Sequence, residues 1–199
     1  MPAAAMWPLA RRLRAAGFAT RSVAWRPRRD GVAATARALH RQLAGSGPRP
    51  TRFVGHSLGG RLALALAGLE PDAGSRVVTL GTPFGGSLAG TRLGRWAPGR
   101  WLLGRAAADV AGPWREGVPE RCELGILAGT TMIGLGRLVT RVAGPGDGTV
   151  RLDETHLEGC ADRLELPVTH FGFLASRRAA DAVADFLREG KFPVKLHDR

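Results

Sequence analysis

Tyrosine and asparagine are absent from this chain, lysine occurs only at Lys191 and Lys195, and cysteine only at Cys122 and Cys160. Each scarcity narrows the reading. The cysteines stand far apart and outside any Cys-x-x-Cys pair, so no thiolate metal cluster is encoded and two buried free thiols are the expectation. No apolar run approaches the roughly 20 residues that a membrane-crossing helix needs. The apolar start, Ala3 to Met6, is too short for a signal-peptide core and runs into Arg11-Arg12, which points to a cytoplasmic chain.

Basic residues, by contrast, are plentiful. The 29 Lys and Arg against 17 Asp and Glu give a net charge of +12. Such an excess attracts anionic partners, either nucleic acid or a membrane surface. The arginines form no single run, however, and lack the interleaved aromatics that stack on bases, so no nucleic-acid partner is expected. With lysine, tyrosine and asparagine so scarce, the excess reads as the imprint of a GC-rich coding sequence at solvated positions. Peripheral contact with a membrane stays compatible with it.

At 199 residues and 44% hydrophobic content, the chain is long enough for one domain with a substantial core. Leu9 and Leu13 predict a first helix over Trp7–Ala16, with Pro8 in its first turn and Gly17 stopping it. Phe18 to Trp25 is expected to be a strand, and Arg26 to Gly31 a loop. Val32, Ala36, Leu39 and Leu43 recur at helical spacing, and Gly45-Ser46-Gly47-Pro48 ends that helix. A short strand around Phe53-Val54 and a helix through Leu62 to Ala67 follow, ending near Gly68-Leu69-Glu70-Pro71. Further strands are expected at Arg76–Leu80, Cys122–Gly129 and around Leu164-Glu165-Leu166, and a closing helix at Ala175–Glu189 capped by Gly190. Strands alternating with helices predict an α/β fold, a mostly parallel sheet with helices on both faces. From Leu88 to Glu120 the pattern loosens around Pro98, Pro113 and Pro119. That segment is either an amphipathic packing layer or a lid and substrate wall, with Phe84, Trp96 and Trp101 as wall candidates.

Gly55-His56-Ser57-Leu58-Gly59-Gly60 joins the strand at Phe53 to the helix at Leu62. A serine at a sharp strand-to-helix turn is lifted above the sheet edge in a strained backbone conformation. Gly55 and Gly59 are expected where a side chain would strike the adjoining strand or helix. The following helix N-terminus offers backbone N–H groups to a developing oxyanion, Leu58 N–H first among them. A Gly-x-Ser-x-Gly string also arises by chance in a chain with 28 glycines, so its context matters.

A serine hydroxyl needs a base, and the base a partner that fixes its tautomer. Asp147, in the glycine-rich loop Gly144-Pro145-Gly146-Asp147-Gly148, is the candidate acid; Asp153 and Glu154 compete with it. His170 is the candidate base, after the last strand; His156 competes. His56 adjoins the serine, so its side chain is expected to point away from the site and serve packing. His40 falls in a helix and His197 in the tail. Ser57, Asp147 and His170, in that chain order, each sit in a loop after a predicted strand or strand-loop unit, and a parallel sheet gathers such loops on one edge.

Phe53-Val54-Gly55-His56-Ser57-Leu58-Gly59-Gly60, Thr79-Leu80-Gly81-Thr82-Pro83-Phe84-Gly85-Gly86-Ser87, Gly146-Asp147-Gly148-Thr149-Val150 and His170 together resemble bacterial lipases and esterases of the α/β-hydrolase superfamily. The resemblance runs from about Trp7 to Phe192. It implies a serine ester hydrolase without cofactor or metal, acting on a small-molecule or lipid ester: Ser57 forms an acyl-enzyme, His170 shuttles protons, and water releases the acid. Acyl transfer would use the same residues. The chain departs from the family before its first helix, where a strand ending in a His-Gly pair would supply the second oxyanion N–H. Only Met1 to Met6 stand there, so the elbow strand is expected to expose an edge or take another neighbour. Either the true start lies upstream of Met1, the favoured expectation, or the chain is a degenerate hydrolase kept as a binding or scaffold protein.

Overall fold

Four parallel strands in the order β1-β2-β3-β4 form the centre of the computed structural model, which describes residues 3–43, 52–69, 74–133 and 144–193. They are β1 (Arg52–His56), β2 (Ser75–Leu80), β3 (Cys122–Gly129) and β4 (Asp162–Leu166). Around them lie α1 (Trp7–Ala15), α2 (Pro27–Leu43), α3 (Leu58–Gly68), α4 (Leu88–Leu93), α5 (Ala97–Leu103), α6 (Ala106–Ala111), α7 (Gly172–Ala175) and α8 (Arg177–Glu189). The expected breaks at Gly45–Pro48 and Glu70-Pro71, and the tail with Lys195 and His197, lie outside the described residues.

Strand side chains alternate between two cores, as the period of 2 requires. Val78, Leu80 and Leu127 pack with α1 and α8 on one face. Val77, Leu124 and Ile126 pack with Ala63, Leu64 and Ala67 of α3 on the other. The α/β class and the helices on both faces are therefore as the sequence predicts. Phe186 of α8, fully buried, lies over Gly125, where a Cβ would come within 2.8 Å of its ring. Burial of such a ring contributes about 2–3 kcal/mol. Some of the arginines expected at solvated positions do structural work. Arg52 and Arg76 donate to the Leu187 carbonyl at the end of α8, at 2.7 and 3.2 Å, satisfying an acceptor that the helix leaves open.

One predicted element is absent. Phe18 to Trp25 forms no strand, because no described strand pairs with it and a strand exists only through its ladder. Phe18 packs with the α1–α8 core and Trp25 with the α2–α3 core, so this segment carries the chain from one face of the sheet to the other. Among the described residues β1 pairs only with β2, and its outer edge is open. The loop expected at Arg26–Gly31 is also partly helical: α2 begins at Pro27 and breaks at Gly31, whose φ of 68° and ψ of 175° suit glycine alone. The loose segment after Leu88 resolves into the three short helices α4, α5 and α6.

Candidate active site

Register puts the strand ends level. His56 lies beside Leu80, and Leu80 beside Leu127, so the segments that follow all emerge at the carboxyl edge of the sheet. Ser57 comes directly after β1. With φ 54° and ψ −130°, it is the only non-glycine residue at positive φ among those described. Such a conformation costs on the order of 1–3 kcal/mol and persists only when its surroundings hold it. Three bonds do so. Ser57 N–H donates to the Leu80 carbonyl at 2.8 Å, Gly60 N–H donates to the Ser57 carbonyl at 2.9 Å, and the Thr82 hydroxyl donates to that same carbonyl at 2.8 Å.

The glycines divide differently from the expectation. A Cβ at Gly55 would lie 2.2 Å from the Gly59 carbonyl oxygen, so Gly55 is required. At Gly59 a Cβ would meet nothing within 4 Å. The crowded position is Gly60, where a Cβ would stand 2.0 Å from Thr82 Oγ1, the hydroxyl that holds Ser57. Leu58 is the first residue of α3, so its N–H has no acceptor one turn earlier in the helix and stands at the positive end of the helix dipole.

Asp147 and His170 meet. Asp147 is 1% exposed and its Oδ2 lies 2.7 Å from His170 Nδ1. Its other oxygen, Oδ1, accepts from the N–H groups of Thr149 and Val150 at 2.9 and 2.7 Å. The backbones are tied as well, His170 N–H donating to the Asp147 carbonyl at 2.8 Å. The rivals sit elsewhere. Asp153 forms an exposed ion pair with Arg151, His156 is exposed, and Glu154 accepts from Leu88 N–H and Arg151 N–H at 2.7 and 3.0 Å. Burial pushes the Glu154 carboxyl above its ordinary range. Among the described residues, Ser57 Oγ makes no hydrogen bond to His170.

Leu80-Gly81-Thr82-Pro83 links these parts. The Leu80 carbonyl takes Ser57 N–H, and Gly81 N–H donates to the Leu127 carbonyl at 2.9 Å. Gly81, at φ 55°, makes room for the acid and base: a Cβ there would lie 2.6 Å from Asp147 Oδ2 and 3.1 Å from His170 Nδ1. Thr82 holds the Ser57 carbonyl, and the Pro83 carbonyl accepts from Arg61 Nε at 3.0 Å.

Arg61 and His56 are the residues that sequence reasoning missed. Arg61, 2% exposed, donates to carbonyls of Pro83, Phe84, Asp109 and Gly112, tying α3 to the segment after β2 and to the end of α6. The one signal was a charged residue inside the apolar run Leu58–Ala67. His56 does not point away from the site. Its ring centroid lies 4.6 Å from that of His170, and its Nε2–H donates to the His170 carbonyl at 2.7 Å. Of the wall candidates, Phe84 is 1% exposed and belongs to the core beneath α3. Trp96 and Trp101 are exposed, with the Arg28 guanidinium 4.0 Å above the Trp101 ring. Among the described residues no helix is long and apolar enough to cross a membrane, and no group of acidic, histidine or cysteine side chains could hold a metal ion.

Burial, and His170 beside it, hold His56 down to about 4 from its ordinary 6.5. The unfolded chain protonates His56 near pH 6.5, the folded one only near 4, so protons favour unfolding across that window. The resulting stability is full above pH 6.5 and falls by about 3 kcal/mol as pH drops to 4. Glu154, whose carboxyl is raised, acts in the opposite direction. Urea unfolding of wild type and His56→Gln at both ends of the window isolates the histidine: the variant is expected to lose less stability on acidification, and equal losses would refute this account.

Comparison with known proteins places the fold. A family model described as the α/β hydrolase fold matches residues 13–113. Among solved structures, lipase BlEst2 of Bacillus licheniformis in its propeptide form superposes with a TM-score of 0.57 at 20% identity, covering 85% of this chain and 41% of that one. The mature form of the same lipase gives 0.54 at 21% identity, covering 81% of this chain and 72% of that one. The chain thus spans less than half the length of the propeptide form. No curated protein sequence matches it. The match over half the chain, with a parallel sheet carrying a strained serine at its carboxyl edge, makes the chain a member of the α/β hydrolase fold family.

Proposed function

We propose that the chain hydrolyses carboxylic esters through an acyl-enzyme on Ser57, with His170 as base and Asp147 as its orienting acid. The observation that carries this reading is the buried Asp147–His170 pair, 2.7 Å apart, on the sheet edge that bears the strained Ser57. His170 Nε2 takes the Ser57 proton as Oγ attacks the ester carbonyl. The oxyanion forms at Leu58 N–H, and the proton passes to the departing alcohol as the ester C–O bond breaks. Water then attacks the acyl-enzyme, giving its proton to His170, and the acid leaves as Ser57 regains its hydrogen. An oxyanion donor is worth about 10²–10³ in turnover, and Leu58 N–H would supply that share. Trp96 and Trp101, on the α4–α6 segment, are the proposed wall for an apolar acyl chain.

A fluorophosphonate probe tests the reading without knowledge of the substrate. Ser57 Oγ bonds to phosphorus, fluoride leaves, and His170 takes the proton. Wild type is expected to label, and to cleave a p-nitrophenyl ester at least 10³-fold faster than Ser57→Ala. Equal rates in the two proteins would remove the enzyme reading. They would favour a hydrolase-like binding protein. Product analysis with an added alcohol separates hydrolysis from acyl transfer.

A further inference from the structure

The residue immediately before the proposed nucleophile grips the proposed base. His56 is 2% exposed, and its Nε2 lies 2.7 Å from the His170 carbonyl oxygen. A carbonyl only accepts, so Nε2 carries the hydrogen. In the neutral ring Nδ1 is then bare, and it is buried without a partner. The tautomer of His56 is therefore fixed by its surroundings. Its ring also packs 4.6 Å from the His170 ring and 5.9 Å from that of Phe171.

His170 is held at three points. Its side chain meets Asp147 Oδ2, its N–H meets the Asp147 carbonyl, and its carbonyl meets His56. The first two attach it to the acid loop. Of the three, only the last attaches it to β1, whose final residue precedes Ser57. Without that bond the acid and base could shift together, as a unit, away from the serine.

We infer that His56 is a positioning residue, whose Nε2–H sets the spacing between His170 and the serine that follows it in the chain. This rests on the proposed roles of Ser57 and His170. His56 touches no substrate atom and donates no proton in the reaction. It joins the peptide of the base to the strand of the nucleophile, so that residues 114 positions apart move together.

Two substitutions separate the bond from mere filling of space. His56→Gln keeps an amide N–H within reach of the His170 carbonyl. His56→Leu keeps volume and removes the donor. His56→Asn, whose amide is one bond too short, serves in place of leucine if that variant does not fold. The fluorophosphonate labelling rate at pH 8 is expected to fall about 10²-fold in the leucine or asparagine variant, the penalty of misplacing a reacting group by about 1 Å, and to recover to within tenfold of wild type in the glutamine variant. With a p-nitrophenyl ester the loss should appear in kcat with KM unchanged. A second readout does not depend on activity. The downfield proton resonance of His170 Nδ1–H, held on Asp147, should stay sharp in the glutamine variant and broaden in the leucine or asparagine one. Labelling at the wild-type rate in a folded variant lacking the donor would overturn the inference. So would identical resonances in all the proteins. Absence of labelling in wild type would instead strike the serine hydrolase reading, and the resonance would still decide the role of His56.

Discussion

Asp147→Asn should lower esterase turnover by about 10⁴-fold while the protein stays folded. The size follows from how the carboxylate is held. Oδ1 accepts two backbone N–H groups, from Thr149 and Val150, and only an oxygen can do that. An asparagine must therefore place its carbonyl there and its NH₂ where Oδ2 now faces His170 Nδ1. A donor opposite Nδ1 removes the hydrogen from that nitrogen and moves it to Nε2, leaving the base no lone pair for the serine proton. Flipping the amide would oppose its NH₂ to two backbone donors, so the fold itself blocks the escape. The rate of p-nitrophenyl ester cleavage and the melting temperature of the variant decide the matter. A loss smaller than tenfold in a stably folded protein would deny Asp147 its orienting role.

Gly55→Ala and Gly59→Ala should part company by several kcal/mol, although both glycines belong to the same motif. A methyl at Gly55 would lie 2.2 Å from the Gly59 carbonyl oxygen and 2.5 Å from Gly60 Cα. These are backbone atoms at the tightest point of the turn, and no flexible side chain can yield for them. The expected loss is about 4 kcal/mol or more, a large share of the roughly 5–15 kcal/mol that holds a domain together. At Gly59 the space is open and the residue is helical, so alanine should be neutral or stabilising by up to about 1 kcal/mol. Urea midpoints measured side by side give the comparison. Comparable stabilities for the two variants would show that the turn relaxes more readily than its geometry implies.

Local pattern made the strands and the principal helices legible. β1, β2, β3 and β4 each lie within a residue or two of the predicted runs; β2 and β3 stand out most because they are buried along most of their length and must be apolar there. Phe18 to Trp25 failed for the complementary reason. Its composition permits a strand, but a strand also needs a partner, and partnership is a property of the whole sheet. At the site, chain order and glycine context singled out Asp147 and His170 over Asp153, Glu154 and His156, and the structure brings that pair together. His56 and Arg61 escaped because their work is done on main-chain carbonyls. A carbonyl carries no sequence signature, so its partner cannot be read from neighbouring residue types. Phe84 shows the same limit from the other side, since an aromatic near a motif can face the core as readily as the substrate.

The short segment Leu80-Gly81-Thr82-Pro83 has a consequence for how such a site can change. Its first two residues continue the ladders of β1 on β2 and β2 on β3 by one further bond each. The parallel register that seats Val77 and Val78 on opposite faces is thus the register that seats Ser57 beside Gly81. A slip of one residue would turn every strand side chain to the wrong face, at great cost in burial. The apolar interior therefore acts as a proofreader for the reactive groups above it: drift in their alignment is penalised by the core before any chemistry is attempted.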